Sequence, residues 1–487
     1  MAIGFNEIPR NLRVPFVYAE FDNSQAVSGP ALMPYRALVC GQRRTSGTQP
    51  VHMPVRVTSP EQAHKLFGAG SMLAQSCATF LQNDPMTEMW AVATDDAAAG
   101  QAAGGTVTLT GAATEGGTIA LYIGGRRIRT GVTSGDQASA VATAMAAAIN
   151  AAEDCPVSAT AAAGVVTLKA LHKGECGNSI DVRLGYYNES APAGLTVAIT
   201  AMSGGTANPD VAALIAAMGD VHYNVIVWPW TDAASLTAIE SELASRWGPL
   251  RMIEGSAISA AAGTHGQLGT LGDSRNSQHL TIMHCIGVPT LTWEVAAAVA
   301  GVATYYGNMD PARPFQTLAL KGVLPPKESD RLTLQENNLL LYDGISTFSV
   351  DDGGVTRVQR LITTYKTSPN GAEDVSYLNL NTILTLGYLR YDFRNYILRK
   401  YPRHKLADDG TRYGVGQPVI TPRVGKAEAI SRARVWESIG LVENVDDFAK
   451  AVVCERNAAD RDRLDWMLPP DLVNQFRVAG VKISFFL

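Results

Sequence analysis

Two tight turns in one short stretch constrain the fold of this chain more than any other feature. The stretch covers residues 337–365 and reads NNLLLYDGISTFSVDDGGVTRVQRLITTY. Glycine adopts positive φ without steric cost, so Asp343-Gly344 and the run from Asp351 to Gly354 both favour reversal of the chain. The segments 345–350 and 355–362 around the second turn are rich in β-forming residues. The pattern predicts a rigid β-hairpin scaffold, and it contains no catalytic motif.

Composition excludes several classes of partner. The 487 residues are 46% apolar and only 17% charged, with a net charge of −5. An acidic balance argues against general nucleic-acid binding, and no apolar run reaches the ~18 residues of a membrane span. The N-terminal sequence MAIGFNEIPR lacks the apolar stretch of a signal peptide. We therefore predict a chain that is made in the cytoplasm, does not insert into membranes, and buries apolar surface in an assembly.

The six cysteines indicate free thiols and not a metal site or a disulfide framework. They are scattered along the chain without a C-x-x-C pair. Buried reduced thiols of a cytosolic protein are the better interpretation, and no metal or other cofactor is expected. The sequence leaves open whether Cys155 and Cys176 approach one another.

The alternation of helices and strands divides the chain into domains. Residues 31–96 and 208–309 alternate strands with helices, which predicts an α/β domain with a largely parallel sheet. Residues 97–207 read as short alternating strands with one Ala-rich helix, a small β-rich domain inserted into the parent chain. We expect its removal to leave the parent fold connected. Residues 310–475 form a C-terminal domain with the hairpin and a long helix at about 378–401. Strands within 208–309 are predicted at 223–228, 251–253 and 281–284.

Both ends of the chain carry β-prone segments without a local partner. Residues 1–30 form an N-terminal arm that Pro9 and Pro15 interrupt, and residues 476–487 form an alternating donor strand. Such segments commonly add a strand to a sheet elsewhere, including the sheet of another subunit. We therefore predict strand exchange between subunits. The residues with this predicted role are Val14, Phe16, Tyr18, Phe21, Phe476, Val478, Val481, Ile483 and Phe485.

Two histidine-containing segments invite enzymatic interpretations. His265 lies in the phrase GTHG, which is similar to a subtilase phrase, but the Asp and Ser partners that a triad requires are missing. His279 and His284, beside Cys285, match no common zinc spacing. We interpret the histidines as structural residues that hydrogen-bond or pack, and we predict no catalytic, cofactor-binding or metal-binding residue.

A basic stretch at the end of the long C-terminal helix is the most marked charge feature. It carries Arg390, Arg394, Arg399, Lys400, Arg403 and Lys405 against the single acidic Asp392. An ordinary solvated face and a surface for an acidic partner are both compatible with this pattern. Residues 310–487 hold 24 basic and 22 acidic side chains, whereas residues 1–309 hold 16 basic and 23 acidic ones. We therefore expect an acidic partner to meet the C-terminal part.

Several phrases, in one common order, resemble the contractile-tail sheath proteins of Mu-like bacteriophages. The hairpin contributes LLLYDGISTF and RVQRLITTY. The other phrases are IPRNLRVPFVYAEFDNSQAVSG at 8–29, RWGPLRMIEG at 246–255, GTHGQLGTLGDSRN at 263–276, DPARPFQTLAL at 310–320, YPRHKLADDGTRYG at 401–414 and LPPDLVNQFR at 468–477. Each phrase alone is weak, but together they cover nearly the whole chain.

The resemblance implies a structural subunit and not an enzyme. It implies a multidomain fold of the α/β and α+β classes, with a subtilisin-like α/β core and an inserted β-rich domain on the outside of the tail. It also implies a homo-oligomer of stacked rings that forms a helical sheath, with the tail tube, baseplate and tail terminator proteins as partners. Contraction of such a sheath drives the tube through the host envelope. The subunits are assembled in the host bacterial cytoplasm and remain in the virion.

The same resemblance gives roles to particular surfaces. It implies that the C-terminal sheath domain is innermost and exchanges its terminal strands. The candidates for tube-facing residues are Arg390, Arg394, Arg399 and Lys400. Two other functions stay open at this point: a hydrolase on a subtilisin-like fold, and a generic self-assembling shell protein.

Overall fold

The computed structural model describes residues 33–414 and 416–486. The N-terminal arm, with the predicted exchange residues Val14, Phe16, Tyr18 and Phe21, lies outside the described residues. So does the last residue of the predicted donor strand, Leu487.

The first part of the parent domain is a short α/β segment. Its elements are β1 (Arg36–Gln42), β2 (Val55–Arg56), α1 (Pro60–Phe67), α2 (Met72–Asn83) and β3 (Glu88–Thr94). Serines start both helices, because the Ser59 and Ser71 hydroxyls accept hydrogen bonds from the amides of Gln62 and Ala74. The sequence predicts strands that begin at residues 35, 55 and 88 and helices that begin at Ser59 and at Gly70-Ser71, and these starts are confirmed to within two residues.

The insertion consists of two antiparallel sheets and one helix. Its elements are β4 (Ala102–Gly111), β5 (Gly117–Ile123), β6 (Arg126–Val132), α3 (Ala138–Ala151), β7 (Val157–Ala162), β8 (Val165–Lys173), β9 (Val182–Leu184) and β10 (Leu195–Ser203), with a 3₁₀ turn at Glu175–Ser179. The strand orders are β10-β4-β8-β7 and β6-β5-β9. Alternate side chains of β4 are buried, as a strand with one core face requires. The sequence predicts strands at 107–110, 119–123, 165–168, 180–184 and 195–200, which correspond to β4, β5, β8, β9 and β10, but it does not predict β6 or β7.

The parent domain then resumes and completes its sheet. Its remaining elements are α4 (Ala212–Ala217), β11 (Val225–Val227), α5 (Ala233–Trp247), β12 (Ser256–Ala261), α6 (His265–Asp273), β13 (Leu280–His284) and α7 (Thr292–Met309). The sheet order is β13-β12-β11-β1-β3-β2, and only β2 is antiparallel to its neighbour. Such a sheet is apolar on both faces because helices cover it. The strand predicted at 251–253 is wrong, since Met252 has a φ of 55° and the strand is β12.

The C-terminal domain is built from small sheets and two long helices. Its elements are α8 (Leu334–Tyr342), β14 (Thr347–Val350), β15 (Thr356–Arg360), α9 (Leu380–Lys400), β16 (Lys405–Leu406), β17 (Val419–Ile420), α10 (Pro422–Ser438), β18 (Val442–Glu443), α11 (Val445–Ala451), β19 (Val453–Arg456), β20 (Leu464–Met467) and β21 (Asp471–Leu472). The predicted hairpin is confirmed as β14 and β15, and the long helix as α9. The apolar run before the hairpin is helical, because Thr333 and Glu336 form a capping box that starts α8.

Candidate functional site

The C-terminal end of the chain exposes a run of large apolar side chains. Residues 473–486 form neither helix nor strand. Phe476 is 76% exposed, Val478 86%, Ile483 83% and Phe486 97%. Val481 and Phe485 are similarly exposed. Apolar surface of this extent in one extended segment marks an interaction site.

The backbone of this tail is also largely unpaired. The Phe476 carbonyl accepts a hydrogen bond from Gln316 Nε2 at 3.1 Å, and the Val473 amide donates to the Leu441 carbonyl. Between residues 477 and 486, no backbone-to-backbone hydrogen bond joins the tail to any part of the chain that the structure describes. Backbone groups and alternating apolar side chains are therefore both available to a sheet edge.

The hairpin offers one sheet edge and not two. The segment 317–320 lies beside β15, where the Thr317 amide donates to Val358 and the Leu320 amide donates to Thr356. β15 is thus flanked by this segment and by β14. In the described residues, β14 pairs only with β15 along Phe348–Val350. The edge of the hairpin that can receive a strand is therefore the outer edge of β14.

The basic helix end separates into residues that are engaged and residues that are exposed. Arg390 forms an ion pair with Glu254, donates to the Trp247 carbonyl at 2.7 Å, and lies over the Trp247 ring at 4.5 Å. It connects α9 to the parent domain. Lys400 forms an ion pair with Glu428 at 2.8 Å. Of the four predicted tube-facing residues, these two are ion-paired within the subunit, although the Lys400 side chain remains exposed.

Arg394 and Arg399 are the members of this set that are exposed and, among the described residues, not ion-paired. Both side chains lie at the surface of α9, and neither has a carboxylate within 4.0 Å among the described residues. Asp392, the one acidic residue that the sequence set against the cluster, does not offset their charge. It is fully buried between α9 and α10, where it accepts hydrogen bonds from Arg432 and from Trp436 Nε1. Asp392 therefore removes no positive charge from the exposed face, whereas Glu254 and Glu428 offset the charges of Arg390 and Lys400.

The histidines are structural in their surroundings. His265 begins α6, which Thr264 caps, and its Nε2 lies 2.9 Å from the Glu336 carbonyl oxygen on α8. His284 is buried and stacks on Phe348 with ring centroids 4.3 Å apart, and burial lowers its pKa to about 3. Burial likewise lowers the pKa of His279 to about 4. The predicted hydrogen-bonding role of His265 is confirmed, at a helix start and not in a loop.

The cysteines form no disulfide. All six are free thiols, and burial raises the pKa of Cys176 to about 12 and also raises that of Cys155. Cys176 Sγ lies 3.6 Å from the Pro229 carbonyl oxygen. Across residues 33–414 and 416–486, no group of three or more metal-ligating side chains is assembled, and no helix has the length and apolar character to span a membrane.

The insertion is attached to the parent domain through both charge and packing. Arg126, at the start of β6, donates to Asp154 and to Glu294 of α7, each at 2.7 Å. Burial raises the pKa of Glu294, an effect that Arg126 opposes. Three buried parent residues, Met72, Leu291 and Trp293, belong to the same apolar cluster as the core of the insertion. The two domains therefore share a core.

Family models match this chain between residues 98 and 486, and a relative matches its whole length. The phage tail sheath protein beta-sandwich domain matches 98–210, the central domain 204–364, and the C-terminal domain 372–486. The Mu-like prophage FluMu tail sheath protein of Haemophilus influenzae is 41% identical over 488 residues, which cover 100% of both chains.

Solved structures are similar at the level of the fold. The sheath tail protein of Listeria innocua has a TM-score of 0.50 at 14% identity, with 90% of this chain and 92% of that chain covered. The sheath tail protein of Desulfitobacterium hafniense has a TM-score of 0.48 at 12% identity, with 94% and 100% covered.

Proposed function

Since this chain belongs to the phage tail sheath family and is a structural subunit of the virion tail, we propose that its copies stack as rings into a helical sheath around a tail tube. Contraction of this sheath drives the tube through the host envelope. The tail tube protein, the baseplate and the tail terminator are its partners, and assembly takes place in the host cytoplasm before the particle is released.

The unpartnered C-terminal tail is the observation that supports this proposal best. A single chain leaves six large apolar side chains of residues 476–486 exposed, and within the described residues the backbone of 477–486 pairs with no strand. If the tail adds as a strand to a sheet of a second copy, its apolar side chains become buried and its backbone groups become hydrogen-bonded. The outer edge of β14 is the receiving edge that we propose. The N-terminal arm, with Val14, Phe16, Tyr18 and Phe21, is proposed to pair in the same way.

Strand exchange suits a sheath that moves during contraction. Ladder hydrogen bonds travel with both partners, while the connecting segment bends, so neighbours stay joined when their packed faces separate. We place the parent α/β domain, for which we propose a subtilisin-like topology, between an outer insertion and an inner C-terminal domain. On that arrangement Arg394 and Arg399 are the leading candidates for contact with an acidic tube. Arg390 and Lys400 can contact the tube only if their ion pairs with Glu254 and Glu428 break.

Alternate side chains of the tail give a sharp test of strand exchange. Along residues 481–485, Val481, Ile483 and Phe485 share one face, and Lys482 and Ser484 share the other. The triple variant Val481→Ser, Ile483→Ser and Phe485→Ser is expected to remain folded and to form no tubes. Electron microscopy of the purified protein, with circular dichroism as the test of folding, gives the readout.

The matched control changes the opposite face of the same strand. Ser484→Glu, which retains the three apolar anchors, is expected to assemble like the wild type. Normal tubes from the triple Ser variant, or equal hydrogen-exchange protection of 478–486 in monomer and tube, would show that the tail does not cross between subunits.

The proposed tube contact is tested by charge reversal. Arg394→Glu with Arg399→Glu is expected to abolish assembly of the sheath on purified tubes while leaving tube-free polymers intact, because exposed charge contacts are cheap to reverse without unfolding. Lys450→Glu, on an exposed lysine of α11, is the control. Co-sedimentation with tubes measures the effect, and undiminished binding of the double variant would remove these two residues from the tube surface.

The two alternatives have less support. A hydrolase requires a nucleophile and base within reach of His265, whose imidazole instead contacts the carbonyl of Glu336. A closed shell and a tube are distinguished by the same electron micrographs. We propose a purely structural role without enzymatic activity.

A further inference from the structure

Two arginines at the root of the C-terminal tail have no acidic partner within residues 33–414 and 416–486. Arg360 ends β15, and its Nη2 donates to Asn379 Oδ1 at 3.2 Å. Its Nε is buried and, within residues 33–414 and 416–486, has no hydrogen-bond acceptor. Arg477 opens the exposed tail and donates to Asn381 Oδ1 at 3.3 Å and to Gln475 Oε1 at 2.8 Å. No carboxylate of the described chain lies within 4.0 Å of either guanidinium.

Both arginines converge on the first residues of one long helix. Asn379 is the residue that precedes α9, and Asn381 is the second residue of its first turn. The Asn379 side chain does not cap the helix amides. A helix of 21 residues carries positive partial charge at this end, where unpaired amides point outward. Two guanidinium groups and a helix N-terminus therefore concentrate positive charge at one place.

This concentration is unfavourable in an isolated chain. Burial lowers the pKa of Arg360. Burial, followed by the nearby charge of Arg360, lowers the pKa of Arg477 to about 10. Buried charges in folded proteins are normally paired, because desolvation without a counter-charge is costly. Elsewhere in this chain the rule holds, since Arg126 and Arg432 both bind carboxylates.

We propose that Arg360, Arg477 and the first turn of α9 form a carboxylate-binding site that an Asp or Glu side chain of a second copy of this chain occupies. The inference rests on the proposed assembly and adds an electrostatic lock to the strand exchange. The planar forks of two arginines match the geometry of one carboxylate, and the helix amides favour the same charge.

Position and charge both favour a second copy as the source of the carboxylate. The site lies where the chain leaves its own domain, since Arg477 is followed directly by the exposed Val478. Residues 1–309 carry 23 acidic against 16 basic side chains, whereas residues 310–487 carry 22 against 24. This difference in charge favours the N-terminal part of a neighbouring subunit as the source of the carboxylate.

The variant Arg360→Met tests the site through two measurements. The stability of the unassembled subunit is expected to be kept or improved, whereas assembly is expected to be weakened. Methionine keeps the length of the side chain and removes the partly buried charge that has no acidic partner among the described residues. We expect the unfolding midpoint of the unassembled chain to stay the same or rise, since an unsatisfied charged group is costly. We expect the concentration for half-assembly, followed by light scattering, to rise about tenfold, because a charge-assisted contact between subunits is lost.

Two further variants make the result specific. Arg360→Lys keeps the positive charge but loses the planar guanidinium group, which can bind a carboxylate through two hydrogen bonds. We expect it to assemble better than Arg360→Met and less well than the wild type. Arg313→Met removes an exposed arginine nearby, whose backbone carbonyl and not its side chain contacts Asn381. We expect it to assemble like the wild type.

The outcomes separate this inference from the proposed function. If the wild type forms no tubes, the proposed assembly itself fails. If the wild type assembles and Arg360→Met assembles equally well, only the carboxylate site is overturned. A lowered unfolding midpoint for Arg360→Met would give the arginine a role inside the subunit, and an equal loss of assembly for Arg313→Met would reduce the effect to general surface charge. Either result overturns the site.

Discussion

The junction of the insertion with the parent domain and the root of the C-terminal tail use arginine in opposite ways. At the junction, Arg126 lies between Asp154 and Glu294, and these two carboxylates raise its pKa. At the tail, Arg360 and Arg477 are also partly buried, but their pKa values are lowered and no described acid meets them. The apolar surfaces follow the same division. Trp293 is buried at the junction, whereas Phe476 is exposed at the tail.

This difference distinguishes the parts of the fold that one chain completes from those that need another chain. Where polar and apolar groups are satisfied together, as around Arg126, the contact belongs to the folded subunit. Where both remain unsatisfied among the described residues, as around Arg477, we propose that the missing partner is external to the subunit. Three measurements of stability test this division, in order of decreasing effect.

Removal of the insertion is expected to have the largest effect. The bridge between Gln101 and Thr206 holds the ends of the insertion together, so residues 97–207 can be replaced by a short Gly linker. From the sequence we expected the parent fold to tolerate this. The shared core leads us to expect the reverse, since Met72, Leu291 and Trp293 lose their cover, at a cost of roughly 6 kcal/mol in unfolding free energy.

Chemical denaturation of the deletion variant measures this cost. A second deletion variant with Leu291→Asn and Trp293→Gln makes the uncovered face polar, and we expect it to be soluble where the simple deletion aggregates. A simple deletion variant that unfolds at the wild-type denaturant concentration would show that the junction is not part of the core.

Loss of the junction arginine is expected to have an intermediate effect that depends on pH. Arg126→Met leaves the buried carboxylate of Glu294 without its counter-charge, which costs about 3 kcal/mol at pH 8. The pKa of Glu294 is already raised by burial and rises further in the variant. A raised folded-state pKa means that the native state binds the proton more tightly, so the variant recovers stability as the pH falls from 8 towards 5.

The double variant Arg126→Met with Glu294→Gln serves as the control for this mechanism. It has no buried carboxylate at the junction to protonate, so we expect its difference from the wild type to vary much less between pH 8 and pH 5. Urea denaturation at both pH values gives the comparison. A destabilisation of Arg126→Met that is the same at both pH values would contradict the ion-pair explanation.

Truncation of the tail is expected to have the smallest effect on the unassembled subunit. Residues 478–486 make few contacts within the chain, so their removal together with residue 487 should change the unfolding free energy by less than about 0.5 kcal/mol. The same truncation should abolish tubes. A destabilisation comparable to that of Arg126→Met would mean that the tail completes its own domain. It would contradict the expectation that the tail needs a second chain.

Local chemistry made much of the fold predictable from the sequence. The Asp351–Gly354 turn, the Ser59 cap and the long periodic helix α9 were all recognisable, because each depends on residues close together in the chain. β12 was missed because its sequence SAISAA has small residues on both faces and shows no alternation. β6 was missed because its arginines conceal the buried alternation of Ile128, Thr130 and Val132.

The site residues were predictable only in part, since their roles depend on contacts between distant positions. The apolar tail was visible as a pattern, and its exposure agrees with that pattern. The partners of the basic helix were not visible, because Glu254 lies far from Arg390 in sequence and Glu428 far from Lys400. The burial of Asp392 also depends on α10, and no charge count along the chain could reveal it.

The strand order of the six-stranded sheet also determines the sequence of events at the ribosome. β1 pairs with β3 on one side and with β11 on the other, and the whole insertion is translated between β3 and β11. The two sheets of the insertion draw only on residues 102–203, so they can form while the parent sheet still lacks half of its strands. The apolar surface of the insertion that packs against Leu291 and Trp293 stays uncovered until α7 has left the ribosome. We therefore expect a nascent chain of this protein to carry a nearly finished inserted domain with an exposed apolar face, the kind of surface that chaperones bind during synthesis.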